Sequence, residues 1–169
     1  MNDLQSPLLL VAYGFSNLVG LLILWAAFRR PRLARLAFLL LFAWAAWTNY
    51  TTSHDHPDWY LSYSRWAWAG YNDFISGWFS RHITVTVSAI AIAQGLIALS
   101  MGYRGVWLKT ACLGAIIFLL AIAPLGYGAA FPFPLVFAFA AWKMLRRDEC
   151  RPLWERQQLR HSHVNNSKS

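Results

Sequence analysis

Residues able to bind a metal ion are concentrated in one stretch near the middle of the chain. His54 and His56 are separated by one residue, and Asp58 follows two positions later. Imidazole nitrogens and carboxylate oxygens in this arrangement can bind zinc or copper. The same residues are typical of a polar loop in which Pro57 makes a turn and Asp58 caps a helix beginning at Trp59. Because no second ligand pair is visible, the pattern favours the loop over a metal site.

A second polar group stands before an apolar stretch that begins at residue 83. Arg81 and His82 lie at its start, although the N-terminus of a helix carries partial positive charge that disfavours cations. We therefore expect Asp73 or Asp58 to pair with Arg81, and Ser80 to act as N-cap. Alternatively, Asp73, Arg81 and His82 could bind a polar headgroup or relay a proton. An ion pair that fastens the loop to the bundle is the favoured interpretation.

Two amide side chains lie inside apolar stretches that carry no ionisable residue near their middle. Asn17 and Gln94 are about equally far from the same predicted end of their helices. This common depth predicts an interhelical hydrogen bond between them, worth about 1 kcal/mol. The alternative is that both amides address the carbonyl groups of a bound isoprenoid quinone or another lipid. Proton pumps and coupled transporters usually need an intramembrane charge, so its absence argues against active transport.

Composition places these residues in a membrane protein. The 169-residue chain is 57% hydrophobic and only 13% charged, whereas soluble domains carry about 25% charged residues. Its apolar stretches predict spans at residues 7–28, 36–50, 83–101, 106–125 and 129–145. The uncharged stretch 110–142 is too long for one crossing, and its Pro and Gly residues indicate a turn. The predicted fold is an all-α transmembrane bundle of five spans, with four spans or a re-entrant hairpin near the C-terminal end as alternatives.

Basic residues set the predicted orientation. Thirteen of the 15 Lys and Arg residues fall in segments that five spans place on one side of the membrane. The positive-inside rule then puts the N-terminus outside the cell and the C-terminus in the cytoplasm. The chain divides into a bundle, residues 1–145, which includes an outer loop at 50–81, and a basic cytoplasmic tail, residues 146–169. We expect this tail to form a short helix on the anionic inner leaflet.

The net charge of +8 reflects this bias between the two sides of the membrane, so we expect no nucleic-acid partner. Cys112 and Cys150 both lie toward the reducing side, which argues against a structural disulfide. The aromatic residues of 59–80 predict a helix or helix pair along the outer interface, broken near Gly70. This part is either an aromatic belt or a lid over a cavity that admits a lipid-like molecule. Asn49 begins a glycosylation acceptor sequence, Asn-Tyr-Thr.

Several short sequence segments, at residues 44–49, 77–82, 120–126 and 130–133, resemble small bacterial membrane proteins similar in plan to the DoxX-like group. The resemblance covers roughly two-thirds of the chain. It implies a location in the bacterial cytoplasmic membrane and an accessory role beside quinone-linked redox complexes. The chain departs from the usual four-span pattern by one helix and lacks redox cysteines, so the resemblance implies no catalytic residue.

These observations predict a non-catalytic protein that serves as an accessory subunit or binds a lipid-like or quinone-like ligand. No other cofactor is expected. The expected partners are membrane lipids and either a membrane complex or a second copy of the chain. The alternative is a membrane enzyme with an outer-face site that uses His54, His56, Asp73 or His82, with or without a metal. A third possibility is a small-molecule transporter.

Overall fold

The described part of the chain folds almost entirely into helices. The computed structural model describes residues 7–65 and 67–146 and contains no strand within them. Its α-helices are α1 (Pro7–Arg29), α2 (Pro31–Asp55), α3 (Ala69–Phe74), α4 (Ile83–Gly102), α5 (Val106–Ile122) and α6 (Phe133–Leu145). Two 3-10 helices, Pro57–Arg65 and Ala123–Ala129, and a π-helix, Ile75–Phe79, complete the connections. Four helices, α1, α2, α4 and α5, are long and apolar enough to span a membrane, and α6 is a shorter apolar helix. The predicted all-α membrane bundle is confirmed.

The five larger helices form a closed ring. Going round it, α1 packs against α2, α2 against α4, α4 against α5, α5 against α6, and α6 against α1. Aromatic rings fill the centre, where Phe38 of α2 stacks on Phe137 of α6 with their centroids 3.9 Å apart. Fully buried alanines such as Ala115 and Ala141 let the helices approach closely around these rings. Leu, Ile, Val, Phe and Trp side chains cover much of the exterior, as expected for a surface in contact with lipid.

The two ends of this ring differ in charge. At one end, Lys143 of α6 places its Nζ 4.8 Å from the centre of the Phe28 ring of α1. The same end holds the start of α2 and the α4–α5 turn, and we call it the basic end. Its basic residues are Arg29, Arg30, Arg32, Arg35, Arg104, Lys109, Lys143 and Arg146. The acidic residues of the described chain, Asp55, Asp58 and Asp73, belong to the opposite end, which we call the cap end.

Both α5 and α6 run between the two ends. At the cap end, the Tyr71 hydroxyl donates to the carbonyl of Ala121 in α5, 2.7 Å away, and the Tyr13 hydroxyl donates to the carbonyl of Phe131 just before α6. Near the basic end, α6 places Phe139 with its ring centroid 6.4 Å from that of Phe28. A re-entrant hairpin would return both helices from mid-depth, so the structure favours the five-helix arrangement over that alternative.

The limits of α2 differ most from the prediction. It was expected at residues 36–50 and extends over Pro31–Asp55. Pro31 occupies the first turn, where a missing backbone N–H costs nothing. At the other end, the Ser53 hydroxyl donates to the carbonyl of Tyr50, 3.0 Å away, so polar side chains are satisfied without ending the helix. The prediction assigns the basic and polar residues at both ends to loops, but here they continue the helix.

The remaining limits are closer to expectation. The first span and the span at 83–101 are confirmed to within about one residue. The last two spans are shorter than predicted, because a 3-10 helix and a turn occupy the residues between them. Gly126 has φ 62° and ψ −125° inside this connection, a conformation open to glycine alone.

Residues 57–65 and 67–82 form a mainly helical layer over the cap end, which we call the outer cap. Ile75 and Phe79 of its π-helix join Ile83 and Val87 of α4 in one buried cluster. These four residues are spaced four apart along the chain. In an α-helix, side chains four residues apart point in directions that differ by about 40°, and the wider π turn offsets this rotation, so that all four side chains face the same side. The predicted break near Gly70 is confirmed, since the chain leaves the helical conformation just before α3, which begins at Ala69.

Candidate functional site

The predicted metal ligands make separate local contacts. His54 Nδ1 lies 2.8 Å from the carbonyl oxygen of Tyr50, one turn earlier in α2. The His56 ring stacks on that of Trp59, with 4.7 Å between centroids. Asp58 is exposed and lies within a 3-10 helix that begins one residue before it, so its predicted role as a helix cap is wrong. Residues 7–65 and 67–146 contain no group of three or more His, Cys, Asp or Glu arranged to hold a metal ion.

Arg81 and Asp73 are not paired. Both side chains are exposed on the outer cap, and neither has a hydrogen-bond or ion-pair partner within the described residues. Arg81 precedes the break that separates the outer cap from α4, so its side chain stays accessible to water beside the N-terminus of that helix. The ion pair inferred from the helix dipole is therefore not formed, because a solvated cation needs no carboxylate to offset its charge.

The predicted N-cap is also wrong. α4 begins after His82, which occupies the N-cap position without a side-chain hydrogen bond to the helix. The Ser80 hydroxyl instead donates backward to the carbonyls of Ser76, at 3.0 Å, and Gly77, at 2.8 Å. The ring of His82 stacks on Trp78 with 4.7 Å between centroids. These contacts complete the outer cap and bring no group of reactive side chains together.

Asn17 and Gln94 hydrogen-bond to different parts of the bundle. The Asn17 amide donates to the carbonyls of Tyr13, at 3.0 Å, and Ala130, at 3.3 Å, which ties α1 to the turn before α6. Gln94 is only 2% exposed, and its Oε1 accepts from the Asn49 amide at 2.9 Å. The predicted bond between Asn17 and Gln94 is therefore wrong, and the described residues form no ligand site containing both.

Asn49, which the sequence marked only as a glycosylation acceptor, links two layers of the structure. Its Oδ1 accepts a hydrogen bond from the Tyr60 hydroxyl at 3.0 Å, while its amide donates to Gln94. Burial, and secondarily the neighbouring Tyr63, raises the pKa of Tyr60 to about 12. A chain of neutral polar groups therefore runs from the outer cap into the middle of the bundle. The only sequence signal was spacing, since Asn49 stands seven residues after buried Phe42 on one helix face.

Arg35 is the buried charge that sequence reasoning missed. Its side chain is 1% exposed and lies against the end of α4. The guanidinium donates to the carbonyl of Met101 at 3.0 Å, to that of Gly102 at 3.4 Å and to that of Tyr103. These carbonyls have no partner within their own helix, and a cation also complements the negative end of the helix dipole. Arg35 therefore closes the C-terminus of α4 and fixes it against α2.

Beside this contact, the outer surface of the bundle has an apolar groove of about 670 Å³, which we call the α2–α4 groove. It is lined from α2 by Leu39, Ala43 and Ala46, and from α4 and the residue after it by Gly95, Ala98, Leu99, Gly102 and Tyr103. Five of these residues are Gly or Ala, so the groove exists because side-chain volume is missing where the helices meet. No charged residue lines it, which suits a hydrocarbon chain rather than a polar reactant.

The groove occupies the half of the bundle nearer the basic end. Its walls span residues 39–46 and 95–103, which is about 10–12 Å of helix at 1.5 Å per residue. Half of a typical hydrocarbon core is about 15 Å thick. The groove begins one turn beyond Arg35 and ends near the middle of the bundle, so its depth corresponds to one leaflet on the basic side.

No protein-family model, curated protein or solved structure matches this chain. Its functional interpretation therefore rests on its own residues. Cys112 is a free thiol buried at the centre of the ring. The predicted helix of the basic tail and the second cysteine, Cys150, lie outside the described residues.

Proposed function

We propose that this integral membrane protein binds a lipid-like molecule by its hydrocarbon chain in the α2–α4 groove, without catalysing a reaction. The observation that carries the proposal is the groove itself, which is apolar, about 670 Å³ in volume and open toward the surrounding bilayer. Phospholipids and isoprenoid quinones both have chains that such a groove can bury. Their entry needs no lid, since a lipid can slide in from the side.

The arrangement of polar groups supports a binding role over an enzymatic one. The described His and Asp side chains form no group of three or more, and the amides of Asn17, Asn49 and Gln94 are committed to contacts within the bundle. A catalytic site needs convergent reactive groups beside the place where a substrate binds. The α2–α4 groove has none of these groups on its walls.

Charge supports an orientation for the bound molecule. The described basic residues other than Arg65 and Arg81 belong to the basic end, and the described acidic residues belong to the cap end. By the positive-inside rule, the basic end faces the cytoplasm of a cell whose cytoplasmic membrane contains the protein. In this orientation the N-terminus is outside, and the groove opens in the inner leaflet.

Photolabelling tests this proposal directly. The full-length protein is placed in vesicles that contain a phospholipid with a diazirine in its acyl chain, and the labelled residues are mapped by mass spectrometry. We expect saturable labelling of Leu39, Leu99 or Tyr103, because these side chains line the groove. Unlabelled phospholipid should compete for these positions.

Two glycine variants provide a matched comparison. A Cβ at Gly95 or at Gly14 meets nothing within 4 Å, so a leucine fits at both positions. Gly95→Leu fills the groove and should reduce labelling there several-fold, whereas Gly14→Leu lies on α1 and should leave it unchanged. Equal labelling of both variants, or uniform labelling over the whole lipid-facing surface, would rule out a specific binding groove.

A further inference from the structure

We infer that the ligand of the α2–α4 groove is an anionic phospholipid of the inner leaflet, with its phosphate held by Arg32 and Arg104. This inference rests on the proposed function and narrows it to one class of lipid. It depends on three observations: where the groove ends, which charges stand at that end, and which charges are absent from it.

The groove ends at the membrane surface on its basic side. Its last lining residues are Gly102 and Tyr103, at the C-terminus of α4, whose carbonyls are hydrogen-bonded by the buried guanidinium of Arg35. These contacts fix the end of α4 against α2, so the mouth of the groove has a defined shape. A hydrocarbon chain lying in the groove would place its headgroup at this mouth, because the other end of the groove lies in the middle of the bundle.

Two arginines continue the two walls of the groove toward the basic end, one on each wall. Arg32 precedes Leu39 by seven residues, which places both on one face of α2. Arg104 directly follows Tyr103 on the other side. Arg104 is exposed and Arg32 is partly exposed, and neither has a hydrogen-bond or ion-pair partner among the described residues. Arginine binds phosphate well, since its planar guanidinium can donate two parallel hydrogen bonds.

No described carboxylate competes for these arginines. Asp55, Asp58 and Asp73 all belong to the cap end, across the membrane from the mouth of the groove. Basic sites between transmembrane helices on the cytoplasmic side are suited to anionic headgroups, and the inner leaflet supplies such lipids. A zwitterionic lipid offers the same chains but carries a compensating cation, which two arginines would repel.

The test compares photoreactive phosphatidylglycerol and phosphatidylcholine that carry the same diazirine-bearing chain, at equal mole fraction in vesicles. For the wild-type protein we expect stronger groove labelling by phosphatidylglycerol. Arg32→Gln and Arg104→Gln should each reduce this preference by about fivefold, and the double variant should label almost equally with both lipids. Arg29→Gln removes one charge from the basic end on α1, which contributes no residue to the groove, and should retain the preference.

The outcomes separate this inference from the proposed function. Equal labelling of the wild-type groove by the two lipids would overturn the choice of an anionic headgroup and leave lipid binding intact. Absence of groove labelling by either lipid would overturn both. Loss of the preference in Arg29→Gln to the same degree would show that general surface charge, not the mouth, selects the lipid. Disulfide-linked dimers of a Leu99→Cys variant in vesicles would show that a second copy covers the groove, which would also overturn the inference.

Discussion

Replacing Arg35 with methionine tests the most unusual contact in the bundle. Methionine keeps an unbranched chain of similar length and removes both the charge and the donors. The change leaves the carbonyls of Met101, Gly102 and Tyr103 without the guanidinium that now satisfies them. Helix termini leave such carbonyls without partners inside the helix, so the end of α4 would be left with unsatisfied acceptors.

The magnitude follows from two opposing terms. Hydrogen bonds to a charged group contribute about 1.5–3 kcal/mol each, and two of the three contacts are well formed, which gives a loss of about 3–6 kcal/mol. Removing a cation from a site that is 1% exposed recovers part of its desolvation cost. Water at the basic end can also solvate one carbonyl. We therefore expect the free energy of unfolding of Arg35→Met to fall by about 2–4 kcal/mol.

The measurement is reversible unfolding in mixed detergent micelles, followed by circular dichroism. Arg29→Met is the matched control, because Arg29 is exposed at the same end of the bundle, and it should change stability by less than about 0.5 kcal/mol. Arg35→Lys should lie between the two, since an ammonium keeps the charge but cannot reproduce the planar fork. If Arg35→Met is as stable as the control, the guanidinium does not hold α4 in place and the reasoning is wrong.

Three further predictions address orientation, ionisation and backbone conformation. Ser62, exposed on the outer cap, should react as Ser62→Cys with an impermeant thiol reagent added outside cells, and labelling only after permeabilisation would reverse the proposed orientation. The pKa of Tyr60 is about 12, against 10 ordinarily, so the folded protein holds this proton more tightly. The contribution of this group to the free energy of unfolding should be complete below pH 10 and be lost as the pH rises through about 12. Unfolding measurements at increasing pH should show this loss for the wild-type protein but not for Tyr60→Phe. Gly105 has φ +63° with open space around it, so Gly105→Ala should lower the free energy of unfolding by about 1–3 kcal/mol in the same assay through backbone strain alone. Gly14 lies in a helix, so Gly14→Ala should be neutral or stabilising. Equal effects of the two substitutions would show that backbone strain is not the cause.

Sequence reasoning predicted the positions of helices along the chain better than it predicted which side chains are neighbours. Hydropathy gave the class of fold and most helix positions, because an apolar stretch must be about as long as the bilayer is thick. It placed Asn17 and Gln94 at similar depth but paired them wrongly. The depth of a residue is counted along its own helix, whereas contact depends on which helices are neighbours. In the ring, α1 packs against α2 and α6, and α4 packs against α2 and α5, so Asn17 and Gln94 lie on helices that are not adjacent. That order is a property of the whole ring.

Arg35 and the α2–α4 groove show the same limit at the candidate site. Arginine near an apolar stretch is ordinarily a surface residue, and nothing local reveals carbonyl partners 66 to 68 residues further along the chain. The small residues of the groove are visible in the sequence, but they form a groove only because α2 and α4 lie side by side. The site considered at the outer-face His and Asp residues is not formed within the described residues, for a different reason. Exposed His and Asp side chains can be satisfied by water or, as with His54, by a backbone carbonyl one turn away, so they need not converge.

The shortness of α6 has a consequence for the surrounding bilayer. Its 13 residues cover about 20 Å, whereas a typical hydrocarbon core is about 30 Å thick. A crossing made by α6 alone would therefore leave that side of the ring in hydrophobic mismatch with an average membrane. The nearby lipids can adapt by thinning, at a cost of a fraction of a kcal/mol per ångström. Membrane regions rich in short acyl chains avoid that cost, so bilayer thickness should bias where in a membrane this protein accumulates.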